Sequence, residues 1–353
     1  MNPLPQRPTS FPRNAWYALA TSEEVGRRPV AARAVDTPFV LYRTTGGDVV
    51  ALEDRCVNRP YPLSRGRVVG DRLVDGYTGF VYGPDGAVLS VPSQEHVPVG
   101  ARARAYAVIE ADGFVWAWPG DAALANLRPA PEAAWLADPA WSTFGETWTT
   151  RASALLLQDN LADITHVAVV DPGVTPPALQ DTPPALQVEV SQTQVRFSRE
   201  FPAAPVPAYQ AELLGLPPGA RYPQREEGAF LSPGMWVDRW SVDLGDGRPV
   251  PPTFVFTHAI TPVDARTTRH AWRVSRNFAP GDRAQGVLLP IFRGYYETVQ
   301  EILETMQDVL DNDGWRREVR VSADAAMLQV RKIMRRLVAE ETDARPSPAA
   351  TAR

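Results

Sequence analysis

Short apolar runs separated by turn sequences dominate the first third of the chain. The runs PFVLYR, VVALED, GFVYG, AVLSV and FVWAWP are broken by the segments TGGD, GPDG and EADG. Such runs are rich in β-branched and aromatic residues, and Gly, Asp and Pro supply the backbone angles of tight turns. The pattern therefore predicts a small antiparallel all-β module over about residues 35–118.

The rest of the chain mixes helical and strand-like patterns. An Ala- and Pro-rich connector follows residue 121, and apolar residues at helical spacing then predict one helix over residues 152–170. Strand-like runs come next, and in GMWVDRW the alternation places Trp236, Asp238 and Trp240 on one face. Two amphipathic helices end the chain. The patterns predict an α+β fold with a β domain at 1–120, a sheet-and-helix domain at 121–340 and a disordered tail at 341–353.

Composition narrows the class of protein. The chain has 353 residues, of which 44% are hydrophobic and 22% charged, as in a globular protein of two domains. A net charge of −5 and the lack of a basic run argue against nucleic acid as a partner. No stretch has the pattern of a signal peptide or a membrane span, so we expect a cytoplasmic protein without a membrane partner. A single cysteine, Cys56, excludes an internal disulfide.

Two loop sequences, CVNR from residue 56 and DGYTGF from residue 75, have the frame of a metal-binding hairpin pair. With them the chain resembles a Rieske non-haem iron oxygenase α-subunit of the vanillate-demethylase-like kind. The resemblance runs from Asn14 to the last helix. It implies an N-terminal all-β Rieske-like domain and a C-terminal helix-grip domain of START or Bet v1 type. In that family a Cys-x-His and a Cys-x-x-His motif hold a [2Fe–2S] cluster.

The four ligand positions implied by the resemblance hold Cys56, Asn58, Asp75 and Thr78. An amide and a hydroxyl are poor iron ligands, and a carboxylate is a hard oxygen ligand that a sulfide cluster does not favour. One thiolate does not anchor a cluster. From the sequence we therefore expect no [2Fe–2S] cluster and a β domain kept as a scaffold.

The second family motif, Asn-x-x-Asp-x-x-His-x-x-x-x-His, supplies two His ligands to a mononuclear iron. Residues 160–171 match it at Asn160, Asp163 and His166, but Asp171 replaces the second His. From the sequence we therefore expect no mononuclear iron either.

The resemblance also implies a third iron ligand, a carboxylate seven residues before the Gln of a late Glu-x-x-Gln segment. That position is Gln300, with Glu297 nearby, and an alignment shifted by one residue places Glu301 there.

The resemblance places these residues around a pocket, where we expect His166, Asp171 and Asp163 to be catalytic. Asp163, one helical turn before His166, would raise the pKa of the imidazole and fix its tautomer. The alternative is structural: Asp163 bonds within the helix or a subunit interface, and Asp171 caps the helix end. The expected substrate-binding residues are Asn160, Trp236, Trp240, Tyr296 and Gln300.

Several functions fit these residues. The first hypothesis is a cofactor-independent, redox-neutral cyclase or isomerase that acts on a hydrophobic natural-product intermediate by acid–base and conformational catalysis. The alternatives are a non-catalytic pseudo-oxygenase subunit beside an active Rieske oxygenase, and a residual metal-dependent oxygenase. A small-molecule binding protein has the same sequence features as the first hypothesis. The family resemblance implies a homotrimer, or a trimer mixed with a Rieske homologue.

Overall fold

The computed structural model describes residues 11–343, which form two compact units. Residues 12–132 with 261–264 form the first unit, and residues 133–260 with 265–343 form the second. The change between them falls within the Ala- and Pro-rich connector. Of the expected disordered tail, residues 341–343 are helical, and the remainder lies outside the described residues.

Short strands build the first unit, as the turn pattern predicts. The described strands and helix are β1 Tyr17–Thr21, β2 Val30–Ala34, β3 Thr37–Arg43, β4 Val49–Glu53, β5 Arg67–Val69, β6 Arg72–Val74, β7 Val81–Tyr82, β8 Val88–Ser90, β9 Val108–Ala111, β10 Phe114–Ala117 and α1 Ala122–Ala125. They form three sheets, with the orders β1-β10-β9, β2-β3-β4 and β5-β6-β7-β8. Cys56 belongs to a core cluster that includes Leu52, Leu73 and Tyr82.

A seven-stranded sheet with the order β11-β17-β16-β15-β14-β13-β12 forms the centre of the second unit. The elements of this unit are β11 Ser142–Thr150, α2 Ala154–Leu161, α3 Val167–Val170, β12 Gln187–Val190, β13 Val195–Pro205, α4 Ala208–Leu214, β14 Arg221–Ser232, β15 Met235–Val242, β16 Thr253–Asp264, β17 Thr267–Arg276, α5 Asp282–Asp313 and α6 Ala325–Asp343. The long antiparallel hairpins confirm the predicted α+β class. None of the helices between residues 11 and 343 has both the length and the apolar character to cross a bilayer.

Helix α5 covers one face of this sheet through a single apolar stripe. Its buried positions recur every three or four residues, the spacing of one helical face. Phe292 and Tyr296 on that stripe pack into a cluster with Phe254 and Trp272 of the sheet. Burial of this stripe, rather than helical propensity alone, stabilises the helix in this position.

The helix predicted over residues 152–170 is broken, which corrects the sequence-based expectation. α2 ends at Leu161, and α3 does not begin until Val167. Between them Asp163 has an extended backbone, and its side chain accepts a hydrogen bond from the Thr165 backbone N–H at 2.9 Å. Asp side chains compete in this way with helical hydrogen bonding. Asp163 and His166 therefore do not lie one turn apart on a continuous helix.

The space beside two glycines, one on β14 and one on α5, predicts opposite effects on stability when each is replaced by alanine. A Cβ at Gly228 on β14 would lie 2.0 Å from Cζ of Phe197, whose ring packs on Trp236. We expect Gly228→Ala to lower the free energy of unfolding by about 1–3 kcal/mol through overpacking. Gly286→Ala, at an open position of α5, should raise it by about 1 kcal/mol through helical propensity. Chemical denaturation of both variants measures these changes in the free energy of unfolding. Equal midpoints would contradict the close packing at Gly228 and the open space at Gly286.

Candidate functional site

Three of the four cluster positions lie together in the first unit. Cys56 Sγ lies 3.6 Å from Thr78 Oγ1, and the Thr78 hydroxyl donates to the Asp75 carboxylate. Tyr82 donates its hydroxyl hydrogen to Cys56 Sγ at 3.3 Å. Asn58, the fourth residue, has an exposed side chain.

Asp75 organises the second loop. Its carboxylate accepts hydrogen bonds from the backbone N–H groups of Tyr77 and Thr78, at 3.2 and 2.8 Å. Burial opposes the ionised form, but the hydrogen bonds from Thr78 and Tyr77 outweigh it and hold the pKa of Asp75 below its ordinary value. The Asp75 carboxylate therefore stabilises the conformation of the loop.

The donor set at these four positions does not fit a [2Fe–2S] cluster. Cluster irons in this class bind thiolate sulfur and imidazole nitrogen, and only Cys56 supplies either group. These four side chains therefore do not supply the ligands that a cluster of this class needs for electron transfer.

The second unit contains a partly open cavity between α5, the sheet and the segment that follows α2. Aromatic side chains form much of its wall. Phe254 lies 5.7 Å from Phe292, and Phe256 lies 5.5 Å from the same ring, measured between ring centroids. Tyr209 of α4 packs edge-on against Phe292 at 5.9 Å. The result is an apolar chamber of the character that binds small molecules.

His166, expected in the pocket, is not among the residues that line this cavity but contacts Tyr295, which is. Its Nδ1 donates to the backbone carbonyl of Asp163 at 2.7 Å. Because a carbonyl only accepts, the proton is on Nδ1 and Nε2 is the acceptor. Asn160 Nδ2 donates to Nε2 at 3.0 Å, and the Tyr295 hydroxyl lies 3.4 Å from the same atom.

Asp163 acts on the pKa of His166 in the expected direction, but burial outweighs its effect. Burial lowers the pKa of His166 below its ordinary value, although the Asp163 carbonyl and carboxylate oppose the shift. The carboxylate is directed to the Thr165 backbone instead of the imidazole ring. His166 is therefore neutral at pH 7.

Asp171 caps a turn after α3. Its Oδ1 accepts from the backbone N–H groups of Gly173 and Val174, at 2.9 and 3.2 Å. This is the structural arrangement that the sequence left as the alternative to acid–base chemistry.

The structure contradicts the expected place of Gln300 in the pocket lining. The buried face of α5 includes Tyr296 and Val299, and Gln300 is rotated roughly 100° from Val299. Its Nε2 donates to the Thr149 carbonyl at 3.2 Å, and Glu297 and Glu301 are exposed nearby. Within residues 11–343, no three His, Cys, Asp or Glu side chains are grouped closely enough to hold a metal ion.

Of the expected substrate-binding residues, Trp240 and Tyr296 line the cavity. Trp236 is fully buried, and its indole N–H donates to both carboxylate oxygens of Asp238 at 2.9 Å. Asn160 is not among the residues that line the cavity, and its side chain is hydrogen-bonded to His166.

The cavity wall includes polar residues that sequence reasoning missed or treated as structural. Asp238 and His258 both line it, and His258 Nδ1 lies 2.9 Å from His270 Nε2. Burial raises the pKa of Asp238 well above its ordinary value, and burial together with His270 lowers the pKa of His258 well below its own. The alternation of GMWVDRW was a signal for Asp238; the two histidines come together only through strand register.

A substitution at Thr78 tests the role of Asp75 in the loop. Thr78→Val removes the hydroxyl donor, so we expect the free energy of unfolding at pH 7 to fall by about 1–3 kcal/mol. The bond stabilises the folded state above the unfolded-state Asp pKa of about 3.9, and this contribution is lost as pH falls through the lower folded pKa. The difference between variant and natural protein should therefore stay nearly constant from pH 7 to about pH 5 and narrow below about pH 4 in urea denaturation. Ser90→Ala, at an exposed position of β8, is the control, and a pH-independent difference would contradict the assignment.

Comparison with known proteins extends over nearly the whole chain. Residues 15–101 match the Rieske [2Fe-2S] domain model, and residues 150–340 match the vanillate O-demethylase oxygenase C-terminal domain model. A toluene-4-sulfonate monooxygenase system iron-sulfur subunit of Comamonas testosteroni is 30% identical over 349 aligned positions, covering 94% of this chain and 98% of the relative. Dicamba monooxygenase bound to 3,6-dichlorosalicylic acid is 26% identical, with a TM-score of 0.85 over 95% of this chain and 100% of that one.

These findings contradict the leading functional hypothesis. The relatives are named as oxygenase components, so a cofactor-independent, redox-neutral cyclase or isomerase is the wrong expectation. The residual oxygenase, kept as an alternative, agrees better with them.

The expectation of no iron–sulfur cluster and no mononuclear iron is contradicted as well. The first unit matches a [2Fe-2S] domain model. A structure of dicamba monooxygenase with non-heme iron and dicamba is 25% identical, with a TM-score of 0.78 over 94% of this chain and 98% of that one. The comparisons thus point to iron cofactors, whereas most side chains at the cluster and iron ligand positions of this chain differ from the Cys and His of the family motifs. In sequence and in fold, this chain belongs to the vanillate-demethylase-like Rieske oxygenase α-subunits.

Proposed function

We propose that this chain is an oxygenase component of a multi-component Rieske system and that it binds a hydrophobic small molecule in the C-terminal cavity. The observation that carries the proposal is the aromatic cavity with a few polar side chains in the domain that matches the family's C-terminal model. Small-molecule pockets are typically lined by apolar and aromatic side chains with a small number of polar groups. Relatives are named for ring compounds, toluene-4-sulfonate and dicamba. The cytoplasmic location and the homotrimer stay predictions.

The cavity wall favours a flat, apolar ligand. Rings of Phe254, Phe256 and Phe292 approach one another at 5.5–5.9 Å in stacked and edge-on arrangements, which a bound ring would extend. Burying about 150 Å² of ligand ring surface contributes on the order of 4 kcal/mol at 25 cal/mol per Å². Apolar contact thus supplies affinity, and the few polar side chains supply orientation.

The chain's own residues support a positioning role for His166. Its Nε2 accepts from Asn160 and lies within reach of the Tyr295 hydroxyl, and Tyr295 lines the cavity. His166 would hold that hydroxyl in one orientation toward a ligand. Burial raises the pKa of Tyr295 and lowers the pKa of His166, so the hydroxyl keeps its proton and can donate it in a hydrogen bond. Asp163 and Asp171, also expected to be catalytic, act in this proposal through the backbone turns that they cap.

A second candidate function follows from the donor set. Because one of four cluster positions keeps a thiol or imidazole, the chain would act beside an intact homologue that supplies electrons in a mixed assembly. The loop frame that survives around Cys56 and Asp75 would then serve subunit packing.

Filling the cavity tests the binding proposal. Val174 lines the cavity and is 7% exposed, whereas Val169, five residues earlier, is 85% exposed. We expect Val174→Trp to weaken binding of a bicyclic aromatic probe about tenfold or more, a loss of about 1.4 kcal/mol. Val169→Trp should leave it unchanged. Isothermal titration calorimetry measures both, and unchanged affinity in Val174→Trp would place the ligand outside this cavity.

Restoring the family's four cluster ligands tests whether the first unit differs from a cluster-binding domain only in its ligand side chains or also in its loop geometry. We expect the combined substitutions Asn58→His, Asp75→Cys and Thr78→His to increase iron and sulfide uptake over the natural chain on anaerobic reconstitution. The measurements are visible absorption and iron content, with about two irons per chain as the full value. Adding Cys56→Ala is the matched control and should cancel the gain. If the restored set takes up no more iron than the natural chain, the frame itself has changed.

A further inference from the structure

Two buried polar atoms at the C-terminal cavity have no hydrogen-bond partner among the described residues. They are Nε2 of Gln210 on α4 and Oε1 of Glu226 on β14, and both side chains line the cavity. Gln210 is 1% exposed and Glu226 is 2% exposed. An unpaired buried polar group costs about 1–3 kcal/mol. A ligand that pairs with both atoms therefore recovers a large part of that cost.

The other carboxylate oxygen of Glu226 is already engaged. Oε2 accepts from Arg199 Nη1 at 2.9 Å, and both side chains are 3% exposed. Burial raises the pKa of Glu226 to about 7, although Arg199 opposes the shift. At pH 8 the carboxylate is mostly ionised, and Oε1 remains as an acceptor at the cavity wall.

The charges around the cavity do not favour an anion. Glu226 and Asp238 both contribute acidic side chains to the lining. Arg239 also borders the cavity, but its guanidinium carbon lies 4.7 Å from the centre of the Trp135 ring. A buried anion without a paired cation is strongly disfavoured.

We propose that Gln210 and Glu226 form a polar subsite that selects an uncharged group able both to donate and to accept a hydrogen bond, such as a carboxamide or a hydroxyl, on a hydrophobic ring. The ligand's acceptor takes the Gln210 N–H, and its donor binds Glu226 Oε1. A carboxylate or sulfonate has no donor for Glu226, and an ammonium group has no acceptor for Gln210. This inference rests on the proposed function, because it names the ligand class of the same cavity.

The selection differs from compounds associated with two relatives. Toluene-4-sulfonate, after which one relative is named, and 3,6-dichlorosalicylic acid, which is bound in a structure of dicamba monooxygenase, both carry an acidic group. The Gln210–Glu226 subsite predicts that this chain binds neutral ring compounds more tightly than acidic ones.

Three naphthalenes of similar shape test the inference by calorimetry at pH 8: 2-naphthamide, 2-naphthoate and 2-methylnaphthalene. We expect the natural protein to bind the amide about tenfold more tightly than the carboxylate. Gln210→Leu should weaken the amide several-fold and leave 2-methylnaphthalene unchanged, because only the polar contact is lost. Glu226→Gln removes the negative charge and should shift the amide-to-carboxylate preference about tenfold toward the carboxylate. Gln300→Leu, on the outer side of α5, is the matched control and should change none of these affinities.

The outcomes separate the inference from the proposed function. Amide preference that falls in both cavity variants supports the subsite. Naphthoate bound as tightly as the amide by the natural protein overturns the subsite but leaves the small-molecule cavity intact. Binding of none of the three probes overturns the proposed function and the subsite with it. Thermal melts of each variant establish folding, and the preference of the natural protein tests the inference even if a variant fails to fold.

Discussion

The contact between α5 and the inner face of the seven-stranded sheet is the constraint on which the second unit depends. Tyr296 stacks on Trp272 with ring centroids 4.6 Å apart, and Phe292 lies 5.7 Å from Phe254. A sheet of this size must cover its apolar face, and one helix is narrower than the sheet. The cavity is the space that this single helix and its rings leave beside α4 and the segment after α2.

Burial under that cover sets the charge of the polar groups in the cavity wall. Dehydration disfavours the ionised forms, so the pKa of Asp238 rises, the pKa of His258 falls and the pKa of Glu226 rises to about 7. Hydrogen bonds within the protein satisfy some of these groups, as Trp236 does for Asp238. The unpaired atoms that remain are therefore few, and each one has a strong influence on which ligand fits.

The sequence predicted the fold better than the site, for physical reasons. Strand alternation correctly placed Asp238 and Trp240 together, because side-chain direction in a strand depends only on neighbouring residues. The helical pattern through Asp163 was misleading because a side-chain cap, which competes locally with the helix, has no effect on hydrophobic spacing. Gln210 and Glu226 were missed because they lie on elements that meet only after folding, although Glu226 alternates with Gln224 and Gly228 along one strand face.

The two candidate metal regions have changed in different ways, and this difference bears on function. In the first unit, Asp75, Thr78 and Cys56 contact one another, so the side chains at ligand positions now stabilise the loops. In the second unit, Asp171 serves a backbone turn and His166 serves Tyr295. Asp75, Thr78 and Asp171 thus form hydrogen bonds within the protein, whereas Asn58 is exposed. The cavity keeps an apolar wall with unpaired polar atoms, so ligand recognition is the part of an oxygenase component's work that this chain's own side chains support most directly.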